Sequence, residues 1–170
     1  MKLITLSLIV LVLTSCAVKI YPLKGKYQDG PFMQVSNNPI DTVWDKLIDL
    51  FATKGLPIKI IDKSSGLIIS DKTALLATNE DKNNKLENPD AWVVLEKVYN
   101  PGTRTYIKPG TVVGEWNVRI KSTANGGTTI NVNLVNLKDV YTDLKGFTNE
   151  RASKAISTGV FEKIIFDYIK

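Results

Sequence analysis

Hydrophobic and polar positions along this chain follow two periods, and the switches between them mark its parts. Leu3–Leu13 is almost wholly apolar, broken only by Thr5 and Ser7. From Ile40 the apolar side chains recur at helical spacing. Ile40, Val43, Trp44, Leu47, Ile48 and Phe51 make one stripe, and Asp41, Asp45, Lys46 and Asp49 take the other side. The spacing predicts a helix running to Lys54. Asn38 is placed as its N-cap, Pro39 as its first helical residue and Asp41 in its first turn. Gly55 suits the C-terminal cap, and Pro57 blocks continuation. A second helical stripe closes the chain: Val160, Phe161, Ile164, Ile165, Tyr168 and Ile169. Glu150–Ile156 is read as its start or as a separate turn.

Between the helices the period is two. Phe32–Val35 predicts a short first strand. Ile58–Ile61 and Leu67–Ser70 flank a turn at Asp62–Gly66 and predict a hairpin. Trp92–Tyr99 is a further strand, and Arg104–Lys108 a short one after the Asn100-Pro101-Gly102 turn. In Val112–Lys121, residues Val112, Gly114, Trp116, Val118 and Ile120 face one way, while Val113, Glu115, Asn117, Arg119 and Lys121 face the other. After the Asn125-Gly126-Gly127 turn, Ile130, Val132 and Leu134 point inward, and Thr129, Asn131 and Asn133 outward. The shift at Val135 and Leu137 predicts a bulge or twist. Asp71–Pro89 is polar and reads as a long mobile loop, with a helical turn at Thr73–Thr78. One wet and one dry sheet face, plus two amphipathic helices, predict an α+β fold: an antiparallel sheet with both helices packed on one face.

Composition adds location. Lys2, the eleven-residue run Leu3–Leu13 and small residues before Cys16 read as an export signal. The run is too short for a bilayer span, which needs about 20 residues. Leu13-Thr14-Ser15-Cys16 resembles the lipobox of bacterial lipoproteins: an aliphatic residue, two small ones, then cysteine. The resemblance implies cleavage before Cys16, a diacylglycerol thioether on its sulfur, and acylation of the new amino group. Several acyl chains together anchor a protein durably. Cys16 is the chain's single cysteine, so it has no disulfide partner. Ala17 follows it, with no aspartate beside it; lipoprotein sorting rules then imply the outer membrane, facing the periplasm. The expected organisation is a signal peptide over 1–15, lipidated Cys16 and a tether over 16–31, and one domain over 32–170.

Ile58–Asp62 and Lys63-Ser64-Ser65-Gly66-Leu67-Ile68, preceded by Asp41-Thr42-Val43-Trp44-Asp45-Lys46-Leu47-Ile48, resemble the opening of helix-grip domains. Such domains occur in the BamC/NlpB-type lipoproteins of the outer-membrane β-barrel assembly machinery. Ser157–Glu162 looks like the closing segment of that group. BamC-type proteins carry two such domains after a long unstructured segment, and this chain has room for one. The resemblance therefore implies a fold, an anchor and protein contacts in the envelope, and no catalytic residue.

The residues themselves offer little chemistry. The chain has no histidine, which removes the usual general base and the commonest metal ligand. Asp62, Asp71, Glu96 and Glu115 show no spacing that demands acid–base work, and Asp71, Asp81 and Glu87 do not follow a calcium loop. No cofactor and no metal are expected. The mature balance is 21 basic against 17 acidic residues, with no nucleic-acid footprint. Trp44 and Trp116 fall on buried faces. Trp92, beside the polar loop, is the best placed of the three for an exposed contact; the outward row of Asn117, Arg119, Asn131 and Asn133 is polar enough for sugar or peptidoglycan contact, and the loop over 72–89 is a better place for a partner site. The expected role is a membrane-anchored, non-enzymatic interaction module, with binding of a small apolar ligand or lipid between helix and sheet as the alternative.

Overall fold

The computed structural model describes residues 17–142 and 145–170. Cys16 and the export signal lie outside the described residues. In chain order the elements are β1 (Lys19–Tyr21), β2 (Phe32–Ser36), α1 (Ile40–Lys54), β3 (Ile58–Asp62), β4 (Leu67–Ser70), β5 (Thr73–Leu75), β6 (Ala77–Thr78) and β7 (Val93–Leu95). There follow β8 (Lys97–Asn100), β9 (Thr105–Ile107), β10 (Thr111–Ser122), β11 (Thr128–Thr142), β12 (Thr148–Glu150), β13 (Ala155–Ser157) and α2 (Val160–Ile169). The architecture is mostly antiparallel sheet with two helices, an α+β fold.

The organising piece is the long β10–β11 hairpin, paired from Thr111↔Val140 to Ser122↔Thr128. Around it the main sheet runs β12-β11-β10-β4-β3, with β2 also on β11 and β5 also on β10. The alternation of β10 is as the pattern predicts: Val112, Trp116, Val118 and Ile120 are buried. The register slips between Val113 and Glu115, opposite Asn136 in a left-handed conformation, so the predicted irregularity is a bulge on β11.

Both helices lie on the dry face of this sheet, because Trp116 touches each. Its ring centroid lies 4.3 Å from that of Phe51 on α1 and 6.1 Å from that of Phe161 on α2. Val43, Trp44, Leu47, Leu50 and Phe51 of α1 are buried, with Ile40 and Ile48 packed on the core's margin. Gly55 ends α1 in a left-handed conformation (φ 62°) that glycine takes without steric cost, and its N–H donates to Ala52 O. From α2 only Phe161, Glu162, Ile165 and Ile169 are buried. Ile164 and Tyr168, expected in its stripe, are exposed, because a ten-residue helix rests on one narrow line of contact.

Several expectations change. Asn38 does not cap α1: Pro39 holds the N-cap position without a side-chain bond, and the Asn38 amide donates to Ile169 O at the far end of the chain. Thr73–Thr78 forms no helical turn. It splits into β5 against β10 and β6 parallel to β7, since extended backbone there satisfies two free strand edges. Nor is Asp71–Pro89 an open loop. Asp81 folds its centre by accepting N–H bonds from Asn83 (2.7 Å) and Lys85 (2.9 Å). Trp92–Tyr99 breaks into β7 and β8 at Glu96, which exchanges bonds with Lys154. Glu150–Ile156 is two short strands, β12 and β13, and not helix.

Candidate functional site

The polar row expected as a contact face comes together. Arg119 pairs with Asn131, and Asn117 with Asn133, across the β10–β11 ladder. The row lies on the sheet face away from the helices, with Arg119 exposed and both Asn131 and Asn133 half-buried. Neighbouring strands extend it sideways. Met33 of β2 pairs with Asn131, Leu67 of β4 with Arg119, and Ile69 with Asn117. Ile60 of β3 then pairs with Ile69. The face is thus polar at its centre and apolar at both margins, a mixture that the sequence reading of wet alternation missed. The signal was present: β2 and β3 carry Met33, Val35 and Ile60 at outward positions of strands that pair at the sheet's flanks.

Trp92 is not part of this surface. It sits on the helix side, its ring 4.7 Å from Phe161. With Leu50, Leu56, Phe161 and Ile165 it lines a cleft of about 140 Å³. Small-molecule pockets usually enclose about 300–1,000 Å³. Between helices and sheet, the space that an apolar ligand would need is occupied by the Phe51–Trp116–Phe161 rings. Among the described residues no group of three or more acidic, cysteine or histidine side chains is placed to hold a metal ion.

At the margin of the outer face the main sheet ends in β3. Its outer edge has no strand beside it among the described residues. Ile58, Ile60 and Ile61 are 37%, 44% and 53% exposed there. Unpaired N–H and C=O groups along such a strand are a template for another chain. Lys59 is the one charge between them and stands at the register shift.

A second built feature involves the stretch expected to be a tether. β1 pairs with β8, placing Lys19 opposite Tyr99 and Tyr21 opposite Lys97. Beyond it Glu80, 7% exposed, clasps the chain. Its carboxylate accepts from the Lys24 N–H (2.9 Å), the Gly25 N–H (2.6 Å) and the Tyr27 hydroxyl (2.9 Å). Burial alone would raise this carboxyl, but the three donors outweigh it and hold it below its ordinary value. Tyr27 is pushed up to about 12, by burial first and then by the adjacent carboxylate. Gly25 permits the close approach: a Cβ there would meet Glu80 Oε1 at 2.7 Å, and the carboxylate would have to shift. Asp29 adds an exposed ion pair to Lys154. Residues 19–29 are therefore laid on the body and do not act as a free tether. Periodicity gave no sign of this, because polar bonds to residues more than fifty positions away hold the stretch.

Among the described residues no helix is long and apolar enough to cross a membrane. The chain matches no protein-family model, and no curated protein matches it.

Proposed function

We propose that this protein is an outer-membrane lipoprotein, anchored through acylated Cys16 and facing the periplasm, that serves as a protein-interaction module of the cell envelope. In this reading its body is a helix-grip-like domain, the antiparallel sheet curving over α1 and α2 on one face. The reading is supported by the lipobox, by the helix–strands–helix order shared with BamC/NlpB-type lipoproteins, and by the filled interior. The observation that carries it is the bare edge of β3, where Ile58, Ile60 and Ile61 are exposed and Ile60 continues the outer face beside Ile69. Main-chain bonds along that edge would supply affinity, and Ile60 with the outer row would supply register and specificity.

The test is site-specific photocrosslinking in the native envelope. A photoreactive side chain at Ile60 or Ile61 is expected to give a discrete adduct with another envelope protein, and Lys59→Pro is expected to abolish it by disrupting β3 as a pairing edge. No adduct from either position, together with an unchanged envelope on deletion of the protein, would overturn the proposal.

A further inference from the structure

We infer that the end of the molecule formed by β1 and the β8–β9 hairpin is a docking surface for the headgroup layer of an anionic bilayer, so that the domain rests against the membrane that anchors it. The inference rests on the reading of Cys16 as the lipid anchor.

Distance comes first. Only Ala17 and Val18 separate Cys16 from the first paired residue, Lys19. Three extended steps span at most about 11 Å. Lys19 lies opposite Tyr99, so the chain leaves β1 at the end of β8 that carries the Pro101–Arg104 turn. The anchor and this turn share one end of the small sheet.

Chemistry comes next. Lys19, Tyr21, Lys97, Tyr99 and Tyr106 share one face of that sheet by register. The three tyrosines form one cluster, with Tyr106 5.8 Å from Tyr21 and 5.3 Å from Tyr99 between ring centroids, and Tyr106 is 55% exposed. Tyrosine, apolar along the ring and polar at its tip, suits the headgroup level of a bilayer. The rings meet edge to face, at 63° and 64°.

Charge follows the same geography. Residues 17–26 and 97–108 hold Lys19, Lys24, Lys26, Lys97, Arg104 and Lys108 and no acidic residue. The remaining residues hold 16 basic and 17 acidic side chains, and of these Glu80, Asp81 and Lys82 border the depression beside Tyr21, Lys97 and Tyr106. Lys97 pairs with Glu87, and Glu80 is occupied by its clasp. Lys19, Lys26, Arg104 and Lys108 make no ion pair among the described residues. Cations flanking an anchor are drawn to anionic lipid over about a Debye length. This favours lipid over a protein partner as occupant.

The long hairpin supplies the control. Its Thr111↔Val140 end is beside β1, since Val18, Ile20 and Tyr141 border one depression. Asn125 stands in the turn at the other end, about 35 Å along the strands.

The experiment uses the mature, acylated protein in vesicles of phosphatidylethanolamine with phosphatidylglycerol. A nitroxide is placed on single cysteines made by Arg104→Cys, Tyr106→Cys or Asn125→Cys, Cys16 being blocked by its thioether. Collision with oxygen and with a water-soluble nickel chelate is then measured. Labels at 104 and 106 are expected to report headgroup depth, and the label at 125 open water. Changing Lys19 and Lys108 to Gln is expected to return the label at 106 to water while the protein stays anchored. A water-exposed label at 106 on protein whose mass shows acylated Cys16 would overturn the docking surface alone. A mass showing a free Cys16 thiol would overturn the anchor, and the docking with it. A label at 106 shielded equally in the unacylated Cys16→Ser protein without vesicles would identify a second copy as the occupant and overturn the inference.

Discussion

The two attachments of this molecule, α1 onto the sheet and residues 19–29 onto the body, are held by opposite means. Helix α1 is held chiefly by area: Val43, Leu47, Leu50 and Phe51 are removed from water against Trp116 and its neighbours, and its polar bonds, Lys46 Nζ to the Ile169 and Lys170 carbonyls and the exposed Asp41–Lys63 pair, lie at the rim. The N-terminal stretch exposes most of its side chains and is held by three strand residues and one carboxylate. Apolar burial is non-directional and accumulates. A clasp of charge-assisted hydrogen bonds is directional, local and sensitive to pH. The first attachment builds the domain, and the second fixes the course of the chain between Lys19 and Asp29.

Substitutions can separate the two. The largest effect is expected from Trp116→Ala, which empties the contact between both helices and the sheet and should cost about 3–5 kcal/mol in denaturant unfolding. Trp116→Phe sharpens the point. The indole N–H is buried without a partner among the described residues, so losing it should keep the cost below about 1.5 kcal/mol. Glu80→Ala should cost about 1.5–3 kcal/mol, confined to the clasp, and should speed amide exchange at Lys24 and Gly25 while leaving α1 protected. Because the folded Glu80 value is lowered from 4.5, its contribution is present above that value and is lost as pH falls through the lowered one. Glu80→Gln should abolish this acid-side loss, measured by exchange at pH 3 and pH 6.

Glu162 has the opposite sign. It is fully buried in the first turn of α2, with Ser157 Oγ 2.8 and 2.9 Å from its two oxygens. Burial raises it above 4.5, so its contribution is full below that value and is lost as pH rises through the raised one. Glu162→Gln should match the parent near pH 4 and be the more stable protein at pH 7, read from melting temperatures. The smallest effects belong to the outer row: Arg119→Ala and Asn131→Ala should each change stability by less than about 0.5 kcal/mol. Any loss of crosslinking at Ile60 in these variants then reports contact and not folding.

The same division explains what the sequence made legible. Where burial sets structure, period reveals most of it: the α1 stripe and the inward row from Val112 to Ile120 were readable, and the α2 stripe was readable except at Ile164 and Tyr168. Wherever single polar bonds between distant residues set it, nothing local shows. Glu80 gives no hint that it awaits Lys24 and Gly25, and Asn38 looks like a cap until the carbonyl of Ile169 is known to be within reach. Thr73–Thr78 failed for a related reason, since six residues of mixed propensity take the form that free strand edges impose. Of the candidate contacts, the Arg119–Asn131–Asn133 row was readable from alternation. The separation of Trp92 from it was not, because that depends on which side of the sheet α2 occupies.

The central claim is that the chain just after Cys16 is fastened to the domain and does not span a gap. Amide hydrogen exchange at Lys24 and Gly25 tests it most directly. Both amides are expected to be protected well beyond the free-peptide rate at neutral pH, with that protection removed in Glu80→Ala. Exchange at the free-peptide rate in the parent protein would contradict it.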